Sequence, residues 1–127
     1  MTDQELLNMA ESARAFAHAP YSHYTVGAAL LCEDGTVYTG CNIENASFGA
    51  TNCAERTALF KAVSEGHRDF VRIAICGGKA GTREPCPPCG VCRQVLSEFC
   101  GPDFTILLTD KTTTLGDLLP LAFTLED

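Results

Sequence analysis

The first segment of the chain carries apolar residues at helical spacing. These positions are Leu6, Ala10, Ala13 and Ala17. Thr2 and Glu5 stand three residues apart at its start, the spacing at which these two residue types cap a helix reciprocally. Pro20 cannot continue a helix, because it lacks an N–H group and its ring clashes with the preceding turn. The pattern therefore predicts a helix over residues 3–17.

Beyond this helix, short apolar runs alternate with helical patterns. The apolar runs predict strands at residues 26–32, 36–42, 71–76 and 104–109. The helical patterns lie at residues 53–65, 90–99 and 114–119. Residues 33–35 form a tight turn between the first two strands, and the loops are 43–52 and 77–88. The order predicts a mixed sheet with helices on both faces, and a parallel pairing of the last two strands.

Length and composition are typical of one domain. The 127 residues are 46% hydrophobic, enough for a core without disulfide bonds, and 20% charged, too few for a disordered chain. Sixteen acidic against nine basic residues give a net charge of −7, which disfavours a nucleic-acid polymer as partner. A small neutral or cationic substrate fits better. No apolar run is long enough to cross a membrane and the amino terminus does not resemble a signal peptide, so a cytoplasmic location is expected.

Eight cysteines are many for a cytoplasmic chain. Cys32, Cys41 and Cys76 lie within apolar runs, and we expect them to be small core residues. The remaining close-spaced cysteines suggest a metal site. Those that carry the pattern are Cys53 at a helix start and Cys86, Cys89 and Cys92 in two overlapping C-x-x-C pairs. Two helix starts that meet would hold three thiolates on one zinc ion and leave its fourth position for water.

Glu55 follows Cys53 by two residues, on the first turn of the same predicted helix. Its carboxylate could reach a metal-bound water without ligating the metal, and could take and return a proton there. A glutamate at this position is also common as a surface residue that complements the helix dipole. Spacing alone leaves a structural and a catalytic zinc site equally open.

Several longer motifs narrow this choice. They are Pro20-Tyr-Ser-His-Tyr-Thr-Val-Gly-Ala-Ala29, Gly40-Cys-Asn-Ile-Glu-Asn-Ala-Ser47, Cys53-Ala-Glu-Arg-Thr-Ala58, Pro88-Cys-Gly-Val-Cys-Arg-Gln94 and Leu118-Leu-Pro120. Together, in this order and at these separations, they closely resemble the small zinc-dependent cytidine deaminases. The resemblance spans nearly the whole chain. It implies one deaminase domain over residues 1–127, with a three-layer α/β/α sandwich around a mixed five-stranded sheet.

The resemblance also implies a ligand set and a catalytic residue. Cys53, Cys89 and Cys92 would bind one Zn²⁺ per subunit, and Glu55 would move protons during the attack of water on carbon 4 of cytosine. Only Cys89 and Cys92 satisfy the motif Pro-Cys-Gly-x-Cys-Arg-Gln. The prolines at 87 and 88 also fit better before a helix than inside one. Cys86 would be a spare thiol in the loop, with a role beside the metal still open.

Further contacts follow from the same resemblance. Arg56 would hydrogen-bond to the thiolates and reduce their negative charge. Asn42 and Glu44 would hold the ribose 3′-hydroxyl, unless they are ordinary loop-capping side chains. The other residues assigned to substrate binding are Ala54, Tyr24, Phe48 and Phe123. The rings of Tyr24 and Phe123 would pack on the base, with core packing as the competing reading. Phe48 stands where relatives often have a tyrosine.

The implied activity is hydrolytic deamination of cytidine and 2′-deoxycytidine to uridine and 2′-deoxyuridine, in pyrimidine salvage. The resemblance implies a homotetramer with active sites at subunit interfaces, where Phe123 would reach in from a neighbour. Two rivals remain: a deaminase of another cytosine-like compound, such as a nucleoside antibiotic, and a structural zinc module with Cys86 as fourth ligand. Of the histidines, His18 and His67 are expected at the surface, and His23 near the site.

Overall fold

A computed structural model describes residues 1–125. Its helices are α1 (Asp3–Ala13), α2 (Ala54–Ser64), α3 (Gly90–Ser97) and α4 (Leu115–Leu118), with short 3-10 turns at Arg14–Phe16 and Phe48–Ala50. Its strands are β1 (Tyr24–Cys32), β2 (Val37–Cys41), β3 (Phe70–Lys79), β4 (Thr105–Leu107) and β5 (Thr112–Thr114). The sheet has the order β2-β1-β3-β4-β5. Only β3 and β4 are parallel, so the sheet is mixed as predicted.

The helices lie on both faces of this sheet. Alternation along β1 sends Ala28 and Leu30 to a core shared with α2, α3 and α4, and Ala29 and Leu31 to a core shared with α1. Because both faces are covered, β1 and β3 read as continuous apolar runs rather than as alternating ones. The three-layer α/β/α sandwich around a mixed five-stranded sheet is confirmed. Within residues 1–125, no helix combines the length and the apolar character needed to cross a membrane.

The start of α1 matches its prediction, and its end does not. Thr2 and Glu5 form the reciprocal capping box. The α-helix stops at Ala13 instead of residue 17, and a 3-10 turn follows. The reason is tertiary: Arg14 is 8% exposed and donates hydrogen bonds to the carbonyl oxygens of Gly78 at 2.9 Å and Thr82 at 2.8 Å. This contact draws the chain against the end of β3.

The sheet differs from the predicted strands at two places. β3 continues to Lys79, past the predicted end at residue 76, and pairs there with the start of β1. Gly78 has a φ of +149°, and a Cβ at this position would lie 2.7 Å from the carbonyl oxygen of Thr82, so glycine is required where the loop folds back. The second difference is the edge strand β5, which was not predicted. It consists of three threonines and has no alternation of apolar and polar residues that would indicate a strand.

The expected surroundings of two residues also need correction. The prediction that His67 is a plain surface residue is wrong, because its side chain is 24% exposed and contacts Tyr38 and Asp34. The reason is that it follows α2 directly and packs against the β1–β2 hairpin. Cys32 and Cys76 are buried as predicted, whereas Cys41 is only half-buried, at the end of the edge strand β2.

Candidate active site

Two helices begin at the same place on the molecule, and both begin with a cysteine. Cys53 is the N-cap of α2, Cys89 is the N-cap of α3, and Cys92 lies in the first turn of α3. The Sγ atom of Cys89 lies 3.7 Å from that of Cys53 and 3.5 Å from that of Cys92. All three are free thiols. The fold thus brings together three cysteines that the sequence separates by up to 39 positions.

This cluster fits a zinc ion. Tetrahedral Zn²⁺ binds thiolates at about 2.3 Å, which places neighbouring sulfur atoms about 3.8 Å apart. The separations in the cluster are close to this value, so little movement is needed. Among residues 1–125, no histidine, carboxylate or further cysteine joins the three thiols within ligand distance. Cys86 is therefore outside the cluster, and a fourth coordination position is available to water.

The thiols of Cys53 and Cys92 differ in pKa, so the negative charge of the cluster lies mainly on Cys53. A hydrogen bond from Cys92 lowers the pKa of Cys53 to about 5 despite burial, and Arg56 acts in the same direction. The same hydrogen bond, together with burial, raises the pKa of Cys92. Arg56 donates from Nη2 to Sγ of Cys53 at 3.2 Å. The cluster therefore holds a thiolate beside a fixed positive charge, the environment in which a thiolate is most stable.

Glu55 lies on the first turn of α2, beside the cluster. It is 4% exposed. Burial raises the pKa of Glu55 to about 7, and the negative charge of Cys53 adds to the rise, while a hydrogen bond with the Cys92 thiol opposes it. A carboxyl group with a pKa near neutrality can both accept and donate a proton at physiological pH. Such a shift in a buried cavity residue is typical of functional sites.

The position of α2 depends on one close contact with the sheet. A Cβ on Gly40 would lie 2.5 Å from the backbone oxygen of Ala54 and 2.5 Å from the backbone nitrogen of Ala58. Glycine alone lets β2 approach the helix backbone this closely. This contact places the first turn of α2, with Cys53 and Glu55, over the end of the sheet.

A cavity of about 200 Å³ opens in front of the cluster. Its lining includes Cys53, Cys89, Glu55, Ala54, Asn42, Glu44, Val26, Thr51, Asn52, Cys86 and Pro87. The predicted residues Ala54, Asn42 and Glu44 thus share one cavity with Glu55 and two of the thiols. Larger grooves lie elsewhere on the surface, and none of them contains a predicted metal ligand. Chemistry rather than size marks the small cavity as the site.

Asn42 and Glu44 are held in place by β1 and the segment before it. The Asn42 side chain accepts a hydrogen bond from the backbone nitrogen of Val26 at 2.8 Å and donates one to the carbonyl oxygen of Tyr24 at 2.8 Å. Glu44 accepts hydrogen bonds from the Ser22 hydroxyl and from the backbone nitrogen of Tyr21, the latter at 2.9 Å. The Ser22 hydroxyl lowers the pKa of Glu44 below its ordinary value.

The three predicted aromatic residues do not line this cavity within one chain. Tyr24 lies beside Gly77 and Cys86 and is not among the residues that line the cavity. Phe48 is 81% exposed and Phe123 is 63% exposed. The backbone oxygen of Phe123 accepts a hydrogen bond of 2.8 Å from Gln94 on α3. These positions leave the rings of Phe48 and Phe123 free to contact another molecule.

Sequence reasoning missed part of the site. Ser22 fixes the orientation of Glu44, and Val26, Thr51 and Asn52 line the cavity, yet none of them was singled out. The segment 20–29 carries a signal, since it matches the deaminase motifs, but the resemblance assigns only Tyr24 to the substrate and places His23 near the site. The signal for Thr51 and Asn52 is that they directly precede Cys53 in a loop rich in polar residues.

The fold and the site together define a class. An α/β/α sandwich carries three thiols at two helix starts, with a buried carboxyl group and a polar cavity beside them, and this combination is that of a hydrolytic metalloenzyme. Known proteins narrow the class. The model of the cytidine and deoxycytidylate deaminase zinc-binding region matches residues 1–108. The chain therefore belongs to this deaminase family.

Individual relatives agree over the full length. A cytidine deaminase of Halalkalibacterium halodurans is 54% identical, covering 100% of this chain and 98% of its own length. A cytidine deaminase of Sporosarcina psychrophila is 50% identical, covering 100% of this chain and 95% of its own. The crystal structure of cytidine deaminase from Burkholderia pseudomallei superposes with a TM-score of 0.88 at 48% identity, covering 97% of this chain and 100% of that one.

Proposed function

We propose that this chain hydrolyses cytidine and 2′-deoxycytidine to uridine and 2′-deoxyuridine. Water adds its oxygen at carbon 4 of the cytosine ring, the bond to the exocyclic nitrogen breaks, and ammonia leaves. The observation that carries the proposal is the placement of the buried Glu55 carboxyl group beside three zinc-spaced thiols on one small polar cavity. Full-length similarity to cytidine deaminases supports the same activity.

In this proposal Cys53, Cys89 and Cys92 hold one Zn²⁺ per subunit. A bound ion would lower the pKa of water at its open position towards neutrality and so supply the nucleophile. Glu55 would accept one proton from the attacking water and deliver it to the ring nitrogen, and would then take the hydroxyl proton of the adduct and pass it to the departing amino group. Its pKa of about 7 and its burial beside the cluster support both halves of this role. Arg56 keeps the thiolates from over-neutralising the ion.

The remaining cavity residues bind the nucleoside. One N–H group of the Asn42 side-chain amide donates to the carbonyl oxygen of Tyr24, and the second is available to donate to a ligand. Glu44 stays ionised through its contact with Ser22, so its carboxylate can accept a hydrogen bond from a ribose hydroxyl. The same carboxylate would repel a phosphate at that position. Together with the net charge of −7, this favours free nucleosides over nucleic-acid polymers.

The active protein is proposed to be a homotetramer that completes its sites between subunits. In one chain, Phe48 and Phe123 are exposed and do not line the cavity, although both are assigned to substrate binding. Large exposed apolar side chains are typical of association surfaces. Light scattering coupled to size-exclusion chromatography is expected to give four times the chain mass of 13.6 kDa. A monomer with full activity would refute the shared site.

We also propose that residues 1–127 act as one domain in the cytoplasm, where the product feeds pyrimidine salvage. One sheet with helices on both faces spans residues 3–118, which supports a single unit. All eight cysteines are free, which suits a reducing compartment.

The decisive experiment follows the loss of cytosine absorbance when the purified zinc-loaded protein is mixed with cytidine, with 2′-deoxycytidine and with a cytosine-containing nucleoside antibiotic. We expect turnover of the first two and little of the third. Turnover of the antibiotic alone would favour the rival deaminase. Bound zinc without turnover of any substrate would favour the structural zinc module.

A further inference from the structure

A second group of metal-ligating side chains lies at the opposite end of α2 from the candidate active site. We call it the hairpin cluster and define it as Cys32, Asp34 and His67. One donor atom of each residue lies within 4.8 Å of the donor atoms of the other two. Nε2 of His67 is 3.0 Å from Oδ2 of Asp34. None of these residues takes part in the proposed deaminase chemistry.

The backbone fixes all three residues before any ligand binds. Cys32 ends β1, its backbone nitrogen donates to the carbonyl oxygen of Thr36 at 2.8 Å, and its carbonyl oxygen accepts from Gly35 at 3.0 Å. The backbone nitrogen of Thr36 donates to Oδ1 of Asp34 at 2.9 Å, which holds that carboxylate over the turn. The backbone nitrogen of His67 donates to the carbonyl oxygen at the end of α2, on Ala62, at 3.0 Å.

The other ring nitrogen of His67 already has a partner. Its Nδ1 lies 3.2 Å from the hydroxyl oxygen of Tyr38, and the two rings meet edge to face with centroids 5.2 Å apart. Metal-ligating histidines characteristically use their second nitrogen in such a hydrogen bond, which fixes the orientation of the ring. The contact with Tyr38 therefore holds Nε2 of His67 next to the donor atoms of Asp34 and Cys32 before any metal binds.

The donor types select the ion. A thiolate and an imidazole favour zinc over magnesium or calcium, and the carboxylate completes a ligand set that neutralises a divalent charge. Bond lengths of about 2.0 to 2.3 Å place the donors of tetrahedral zinc roughly 3.3 to 3.8 Å apart. The Asp34–His67 contact must lengthen slightly, and the Cys32 sulfur lies within 4.8 Å of the donor atoms of both other residues. The Asp34 side chain, at 58% exposed, can move and leaves a position open to water.

We propose that the hairpin cluster is a second Zn²⁺ site, distinct from the three-cysteine cluster, which fastens the β1–β2 turn to the end of α2. Its contribution is structural, because none of its three residues lines either the candidate active-site cavity or the larger groove beside Glu33. Binding releases the Cys32 thiol proton and replaces the Asp34–His67 hydrogen bond by two metal bonds. It also moves the His67 proton from Nε2 to Nδ1, where the Tyr38 oxygen accepts it. The proposal stands independently of the deaminase function.

Equilibrium dialysis of the zinc-loaded protein against Zn²⁺ tests this directly. We expect the wild type to retain two ions per chain at micromolar free zinc, and His67→Gln and Cys32→Ser to retain one. Tyr38→Phe keeps the three ligands and loses the orienting hydroxyl, so its affinity for the second ion is expected to fall about 10- to 100-fold. Cys100→Ser, a half-buried cysteine outside both clusters, is the matched control and should retain two.

Thermal unfolding provides the second readout and guards against misfolding of the buried Cys32 variant. Added Zn²⁺ should raise the Tm of the wild type and of Cys100→Ser more than that of folded His67→Gln, because a ligand stabilises the native state that it binds and this variant keeps only the three-cysteine site. Cytidine turnover is expected to stay the same in His67→Gln. A wild type that retains only one ion, or a His67→Gln variant that retains two, overturns the proposal.

Discussion

Nη2 of Arg56 lies 3.2 Å from Sγ of Cys53, so a fixed cation and one thiol of the three-cysteine cluster lie together at the start of one helix. Three thiolates around a divalent ion leave a net negative charge, which weakens its ability to acidify water. A guanidinium that donates to a sulfur atom offsets part of this charge.

This relationship leads to the first prediction. Arg56→Gln removes the charge and shortens the donor, so we expect zinc affinity or turnover of cytidine to fall about 10- to 100-fold. Zinc content and initial rates measure the two effects separately. Arg68→Gln, which removes an exposed arginine just beyond the same helix, is the control and should leave both values unchanged. Equal losses in the two variants would assign the effect to general destabilisation.

The choice of ligands gives the second prediction. Cys92→Ser breaks the three-thiol cluster, and we expect it to lose the zinc ion bound there. Cys86→Ser should retain near-normal zinc, because Cys86 lies outside the cluster and burial raises the pKa of its thiol to about 11. Metal analysis of both variants after dialysis measures this. The reverse pattern would move the ligand pair to Cys86 and Cys89.

Glu55 provides the third prediction. Glu55→Gln keeps the shape of the side chain and removes its ability to transfer protons, so we expect full zinc content and a fall in kcat of at least about 10²- to 10⁴-fold. Rates under saturating cytidine and metal analysis of the same sample are needed together. Glu98→Gln replaces an exposed glutamate on the end of α3 and should retain wild-type rates. Unchanged turnover in Glu55→Gln would exclude Glu55 as the proton carrier.

The close approach of β2 to α2 gives the fourth prediction. Gly40→Ala forces a Cβ to within 2.5 Å of two backbone atoms of α2, so the helix must move and the free energy of unfolding should fall by about 1 to 3 kcal/mol. Turnover should fall too, because the helix carries Cys53 and Glu55. Urea unfolding and initial rates measure the two losses. Gly101→Ala, where an added Cβ meets no atom within 4 Å, is the control and should preserve both.

The fifth prediction concerns the charge of Glu44. The Ser22 hydroxyl is the largest cause of its lowered pKa, so Ser22→Ala should raise that pKa towards the ordinary value of a glutamate. A depressed folded-state pKa stabilises the protein above the unfolded-state pKa, and this contribution disappears as the pH falls through the folded-state value. In the variant this contribution should therefore be smaller, and its loss should be complete at a higher pH. Carbon-13 NMR of the carboxyl group measures the titration, and Ser97→Ala should leave it unchanged.

The site residues on α2 and α3 were the easiest to predict from sequence. Cys53 and Cys89 were expected at helix starts, and both are N-caps in the structure. Such positions are readable because a cap, a proline or a glycine acts on its immediate neighbours along the chain. The end of α1 was harder, since it depends on Arg14 reaching Gly78, 64 positions away. The edge strand β5 was missed because three threonines carry no apolar pattern.

The sequence by itself determined the order of the helices and longer strands and the deaminase family. These features rest on local spacing and on motifs whose residues are close together in the chain. The tertiary structure alone decided that Ser22 orients Glu44 and that His67 meets Cys32 and Asp34. Those contacts join side chains from segments that are far apart in the chain and depend on how the helices pack on the sheet. Such contacts produce no periodic pattern of apolar residues from which they could be predicted.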